Sequence, residues 1–106
     1  MIDASVLAAM APRTLLVNVG RGSSVDQEAL IEALNSGRLA GAALDVMVPE
    51  PLPKDHPLWS AKNLLITPHV AGGMRLEVTR KNCIQLALDN LRRYQTGEPL
   101  RNLVAR

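Results

Sequence analysis

The stretch that decides the fold is Thr14-Leu15-Leu16-Val17-Asn18-Val19-Gly20-Arg21-Gly22-Ser23-Ser24-Val25-Asp26. Its first six residues form a continuous β-prone apolar run, the pattern of a strand covered on both faces in a parallel sheet. Gly20 to Val25 reads as a loop. Asp26 is placed to cap a helix from Gln27 to about Ser36, with Glu28 in the first turn, where the helix dipole favours negative charge. Leu30, Ala33 and Leu34 make the inward stripe of that helix, and Gly37 is its stop.

The flanking sequence continues the alternation. Asp3 caps a short helix through about Met10, with Val6, Leu7 and Met10 at helical spacing, and Pro12 ends it. Leu39 to Val46 reads as a second buried strand that ends on Asp45. Pro49-Glu50-Pro51-Leu52-Pro53 can be neither helix nor central strand, because its prolines remove backbone donors. Leu64 to Thr67 is a short third strand stopped by Pro68. Met74 to about Thr96 is a long helix with Leu76, Ile84, Ala87, Leu88, Leu91 and Tyr94 on its apolar side, closed by Gly97 and Pro99. This order predicts an α/β fold: a short parallel sheet flanked by helices, followed by a long C-terminal helix. Three strands leave two exposed edges, which invite pairing with another chain.

Composition narrows the function classes. The chain has 106 residues, 47% of them apolar and 21% charged, ordinary values for a globular protein. Net charge is +2, with the positive residues dispersed apart from Arg92-Arg93, which reads as a solvated helix end rather than a nucleic-acid patch. Trp59 and Tyr94 are the only aromatic residues, too few for base-stacking platforms. The single cysteine, Cys83, lies in an apolar helical pattern and is expected in the core. No apolar run approaches the roughly 20 residues that span a bilayer. Met1-Ile2-Asp3 carries no basic leader, so cytoplasm is the expected compartment.

In open parallel sheets, ligands bind beyond the carboxyl ends of the strands. Here those ends carry Arg21, Asp45 and the pair Thr67 and His69, with Glu50 in the loop after the second strand. A cation, two carboxylates and an imidazole are thus predicted at one edge. Taken singly, each has a plainer explanation: Arg21 as a surface cation, Asp45 as a turn cap, Glu50 as an exposed carboxylate and His69 as a structural histidine. Their convergence favours chemistry. Gly20-Arg21-Gly22-Ser23-Ser24-Val25 imitates a dinucleotide fingerprint but has Val25 where close helix packing requires Gly or Ala. No acidic residue ends a strand about 20 residues on unless Asp45 is pressed into that role, so the match is rejected. His56, His69 and Cys83 do not have metal-ligand spacing.

At these residues the sequence resembles a known family. Asn18 to Leu30 is similar to the N-x-x-R-G-x-x-V-D-x-x-A-L segment of D-isomer-specific 2-hydroxyacid dehydrogenases. Gly37 to Val46, Glu50-Pro51-Leu52, Pro57-Leu58 and Asn63 to His69 continue the likeness in order. The resemblance implies a partial Rossmann-like fold. Residues 1–73 would be the C-terminal half of an NAD(P)-binding domain, and 74–106 a helix and tail packing toward a substrate domain. It implies that Arg21 orients the substrate carboxylate and carbonyl through its planar fork. His69 would be the acid that protonates the ketone oxygen, and the base in reverse. Glu50 would hold the imidazole and raise its pKa. Asp45 resembles the nicotinamide-side carboxylate, and Val19, Gly20, Arg21, His69, Val70, Ala71 and Gly72 would line NAD or NADP. Formate dehydrogenases fit less well, having glutamine where this chain has Glu50.

Family members are longer, and their glycine-rich phosphate loop, ribose selector and most of their substrate domain precede the segment seen here. The expectation is therefore a fragment of an oxidoreductase interconverting 2-oxo acids and D-2-hydroxy acids, inactive alone, with neither nucleic acid nor membrane as partner. The long helix's apolar side would find its home in a second copy, through a homodimer or domain swap. A non-catalytic dimerisation module reusing half a dinucleotide fold is the alternative. A subunit completed by a partner's phosphate loop is a third.

Overall fold

The apolar runs form three strands, β1 (Leu15–Asn18), β2 (Gly41–Leu44) and β3 (Leu64–Ile66), in one parallel sheet of order β1-β2-β3. Among the described residues three α-helices accompany them: α1 (Ala4–Ala9), α2 (Gln27–Asn35) and α3 (Glu77–Thr96). This computed structural model describes residues 1–74 and 76–104. The chain divides into two compact units, Met1–Ala71 and Gly72–Arg106. β1 is one residue and β2 two residues shorter at each end than the apolar runs predict, β3 is one residue shorter at its C-terminal end only, and α3 begins at Glu77 rather than Met74.

The starts of α1 and α2 are set by carboxylates. Asp3 Oδ1 accepts from Ser5 N and Val6 N, both at 3.0 Å, and Asp26 Oδ1 accepts from Ala29 N at 3.0 Å. These bonds satisfy backbone donors that have no intrahelical partner. Ile2 adds a parallel bridge to Val25, with Ile2 N donating to Ser24 O at 2.8 Å and Asp26 N to Ile2 O at 2.9 Å. The N-terminus is thereby tied to the loop that follows β1.

In the first unit, Leu30, Ala33 and Leu34 of α2 are buried, as the helical stripe predicts, together with Leu7, Leu16, Leu39, Ala42 and Leu44. Only one face of the sheet is covered, which corrects the expectation of strands buried on both faces. Leu16 and Asn18 are buried, whereas Leu15 and Val17 are 69% and 64% exposed, and Leu65 of β3 is 62% exposed. Side chains alternate between faces along a strand. A continuous apolar run therefore carries residues for two covers, and within this unit α1 and α2 supply one.

In the second unit α3 has no buried residue. Leu76, Ile84, Leu88, Leu91 and Tyr94 on its apolar side are all exposed. Cys83 is exposed as well, correcting its expected place in the core. An apolar pattern at helical spacing says which side seeks a cover, not that a cover is present. Gly97 closes the helix in a left-handed conformation, φ 73°, and Glu98 N donates to Arg93 O at 2.8 Å. The tail returns to the helix through Asp89, which accepts from Arg93 and Arg101 at 3.2 Å each.

Gly22 fixes the spacing between two loops. A Cβ on Gly22 would run into the backbone of Met47. Gly22→Ala must therefore push the loop after β1 away from the segment after β2, a rigid clash of backbone rather than of a pliable side chain. Urea unfolding followed by circular dichroism should show a loss of about 1–3 kcal/mol. An unchanged midpoint would mean that the Met47 segment yields without cost.

Candidate active site

The parallel register aligns the strand ends. Asn18 pairs with Leu44 and Leu44 with Ile66. The ladder runs one step further, with Asp45 N donating to Asn18 O at 2.9 Å and Thr67 N to Leu44 O at 3.0 Å. Asp45 and Thr67 thus stand side by side at the carboxyl edge, and the chain goes on from Thr67 to His69.

Asp45 is 3% exposed, and its carboxylate is nearly saturated by the chain itself. Oδ1 accepts from the Thr67 hydroxyl at 2.5 Å and Val70 N at 2.9 Å, and Oδ2 accepts from Ala71 N at 2.9 Å. The Thr67 hydroxyl, then the Val70 N–H, hold the Asp45 carboxyl below its ordinary pKa, against the upward pull of burial.

His69 sits at φ 51°, a left-handed conformation that costs a non-glycine residue about 1–2 kcal/mol. Its N–H donates to Thr67 O at 3.0 Å, closing a tight turn around Pro68. The ring Nδ1 lies 2.7 Å from Glu50 Oε2. Glu50 Oε1 accepts from Met47 N at 2.8 Å, so its two oxygens serve two partners. The hydrogen bond to His69, then that from Met47 N, lowers the Glu50 pKa.

The loop bearing Glu50 is clamped from outside. The Gln27 amide bonds both backbone groups of Val48, donating to its oxygen at 2.6 Å and accepting from its nitrogen at 2.8 Å. Trp59 Nε1 donates to Pro53 O at 2.8 Å. Val48–Pro49 and Glu50–Pro51 are cis peptides. Glu50, His69 and Thr67 line a cleft of about 500 Å³ whose apolar wall includes Trp59, Leu52 and Ile66.

Arg21 stands outside this network. Its one side-chain hydrogen bond among the described residues runs from Nη1 to Gly20 O at 2.8 Å, and it lines no wall of the cleft. The loop that carries it is shaped by buried Asn18, whose amide donates to Arg21 O at 2.9 Å and accepts from Gly20 N at 3.1 Å. Val19, Gly20, Val70 and Ala71 are exposed along the same edge, and Gly72 begins the second unit.

The sequence alone assigns no role in this site to Asn18, Gln27 or Thr67. Their one available signal was position, since each is a hydrogen-bonding side chain beside a loop that must be held. Among the described residues no helix is long and apolar enough to cross a membrane.

In open parallel α/β sheets ligands bind beyond the carboxyl edge, and here that edge carries a paired imidazole and carboxylate. Residues 1–71 match the family D-isomer specific 2-hydroxyacid dehydrogenase, NAD binding domain, and the chain belongs to that family. It is 43% identical over 104 residues to glyoxylate/hydroxypyruvate reductase B of Pectobacterium carotovorum, covering 98% of this chain and 32% of that protein. It is 42% identical over 106 residues to the glyoxylate reductase of Aeropyrum pernix, covering 100% of this chain and 31% of that one. Among solved structures it resembles the D-isomer specific 2-hydroxyacid dehydrogenase of Xanthobacter autotrophicus in complex with NADPH and MES. That match has a TM-score of 0.79 and 42% identity over 96% of this chain and 40% of the other. The chain spans about a third of the length of the curated relatives it matches.

The two lowered carboxyls set a pH dependence. Each titrates lower folded than unfolded, so each stabilises the fold fully above its ordinary value, 3.8 for Asp45 and 4.5 for Glu50. That contribution is lost as pH falls through the lower folded value. Urea midpoints should thus hold steady above about pH 5 as far as these groups are concerned, then fall with acid. Asp45→Asn should flatten the acid limb, and an identical limb in that variant would refute the assignment.

Proposed function

We propose that this chain is the catalytic segment of an NAD(P)-dependent reductase that interconverts 2-oxo acids and D-2-hydroxy acids. The observation that carries the reading is the His69–Glu50 pair at 2.7 Å, on the carboxyl edge of a sheet in a chain of this family. Glyoxylate and hydroxypyruvate are the substrates named for its relatives, and small 2-oxo acids of that kind are the substrate class we assign.

The nicotinamide end of a dinucleotide fits the residues present. A carboxylate offers about four acceptor positions. Asp45 uses three of them within the chain and keeps one on Oδ2 for a further donor such as a carboxamide. Val19, Gly20, Val70 and Ala71 would line the ring, and the bound cofactor supplies the hydride. His69, its Nδ1 held by Glu50, gives a proton to the ketone oxygen on reduction and removes it on oxidation. Arg21 binds the substrate carboxylate through the donors that Gly20 O leaves unused.

No Gly-x-Gly-x-x-Gly run lies within these 106 residues. Holding two reactants in register is a large share of hydride-transfer catalysis, so residues 1–106 by themselves are inactive in this reading. It also puts the protein in the cytoplasm, where the Cys83 thiol stays reduced. A homodimer goes with it, since Ile84, Leu88 and Leu91 on the apolar side of α3 are exposed and a second copy would cover them.

Titration of NADH and NADPH into the chain, followed by nicotinamide fluorescence, should show no binding tighter than about 1 mM. Micromolar affinity would overturn the requirement for a phosphate loop. In a longer chain that carries the loop, His69→Ala should lower kcat by about 10²–10⁴-fold with cofactor binding nearly intact. Full turnover in that variant would remove His69 as the acid.

A further inference from the structure

The Asp45 carboxylate reaches to both sides of His69. On one side its Oδ1 takes the Thr67 hydroxyl at 2.5 Å; on the other it takes Val70 N at 2.9 Å, while Oδ2 takes Ala71 N at 2.9 Å. All three donors belong to the five-residue segment Thr67–Ala71, and His69 lies inside it. Two groups inside that segment need holding. His69 is in a left-handed backbone conformation, φ 51°, which a residue with a Cβ keeps only where its surroundings enforce it. Its ring must also reach Glu50, 2.7 Å away on a separate loop.

We propose that Thr67 is a positioning residue for His69, acting through Asp45. Val70 N and Ala71 N fasten the segment after the histidine. Thr67 is the fastening before it, and the turn in between closes with His69 N on Thr67 O at 3.0 Å. The Thr67 backbone is anchored to the sheet, because its N–H donates to Leu44 O at 3.0 Å. The hydroxyl couples that anchor to the carboxylate, so the two arms of the turn share one buried hub. A buried carboxylate deprived of one donor bears the cost of an unmet acceptor, and the coupled bonds of its remaining donors weaken with it. Loss of the hydroxyl therefore loosens Val70 and Ala71, lets the His69 backbone leave the left-handed region and draws the ring away from Glu50. No residue of the clasp needs to touch substrate.

His69 matters here as the proposed proton donor. The readout is its ring and turn rather than turnover, so a clasp that fails and an acid wrongly assigned give different results. The experiment is nuclear magnetic resonance on the 106-residue chain, comparing Thr67→Val, which keeps the shape and loses the hydroxyl, with Thr67→Ser, which keeps the hydroxyl. Amide exchange is read at Val70 and Ala71, with Asp45 N, bonded to Asn18 O within the sheet, as the internal reference. The His69 Nδ1 shift and tautomer report the bond to Glu50.

Thr67→Val should speed exchange at Val70 and Ala71 by about tenfold or more relative to Asp45 N and move the His69 ring signals, the loss expected for one hydrogen bond to a charged group. Thr67→Ser should restore both. If Thr67→Val does not fold, Thr67→Ala against Thr67→Ser is read at the same amides and ring. Unchanged Val70, Ala71 and ring signals in the variant without a hydroxyl would overturn the proposal. So would equal loss in Thr67→Ser, or exchange that rises as much at Asp45 N as in the turn.

Discussion

The in-phase register of the parallel sheet is the constraint on which the rest depends. Because Asn18, Leu44 and Ile66 lie in one row, the residues that follow them emerge together, and the ladder bonds from Asp45 N and Thr67 N extend that row past the strand ends. A slip of one residue would turn each side chain of the moved strand to the other face. Leu16, Ala42 and Leu44 would lose their place against α2, so core packing and edge geometry are enforced by the same register. Asp45, Thr67 and His69 need no separate device to bring them to one edge.

At that edge the two carboxylates are held by directed N–H and O–H donors. Asp45 rests on a hydroxyl and two backbone N–H groups, and Glu50 on a backbone N–H and an imidazole. Hydrogen bonds of this kind favour the ionised form and are directional. The two carboxylates thus have separate tasks. Asp45, buried, organises backbone. Glu50, partly exposed, reaches from the clamped proline loop to the ring of His69. Arg21 takes part in neither, and its guanidinium stands apart on a loop that Asn18 shapes.

Much of this was legible in the sequence. Asp3 and Asp26 announce their helices, the apolar runs announce the strands, and the strand ends assign Asp45 and Thr67 to the carboxyl edge. The His69–Glu50 approach was implied by family likeness and is met as a distance. What could not be read was which cover is present. Leu15, Val17 and Leu65 have the same composition as buried strand residues, and Cys83 has the spacing of a core position, yet all are exposed. Apolar patterning encodes demand for burial, whereas burial depends on what stands opposite. The supporting polar contacts were equally silent. Gln27 and Thr67 bond to groups far along the chain that come near only once it has folded, whereas Asn18 bonds within its own loop, to Gly20 N and Arg21 O.

The exposure of Cys83 has a practical side. It is the chain's one cysteine, and it lies on α3, in the unit that holds none of Arg21, Asp45, Glu50 and His69. A maleimide dye or nitroxide would therefore attach at a single defined position without chemical change to any of those four side chains. Protein chemists gain a built-in labelling handle from a residue whose sequence setting suggested an inaccessible one.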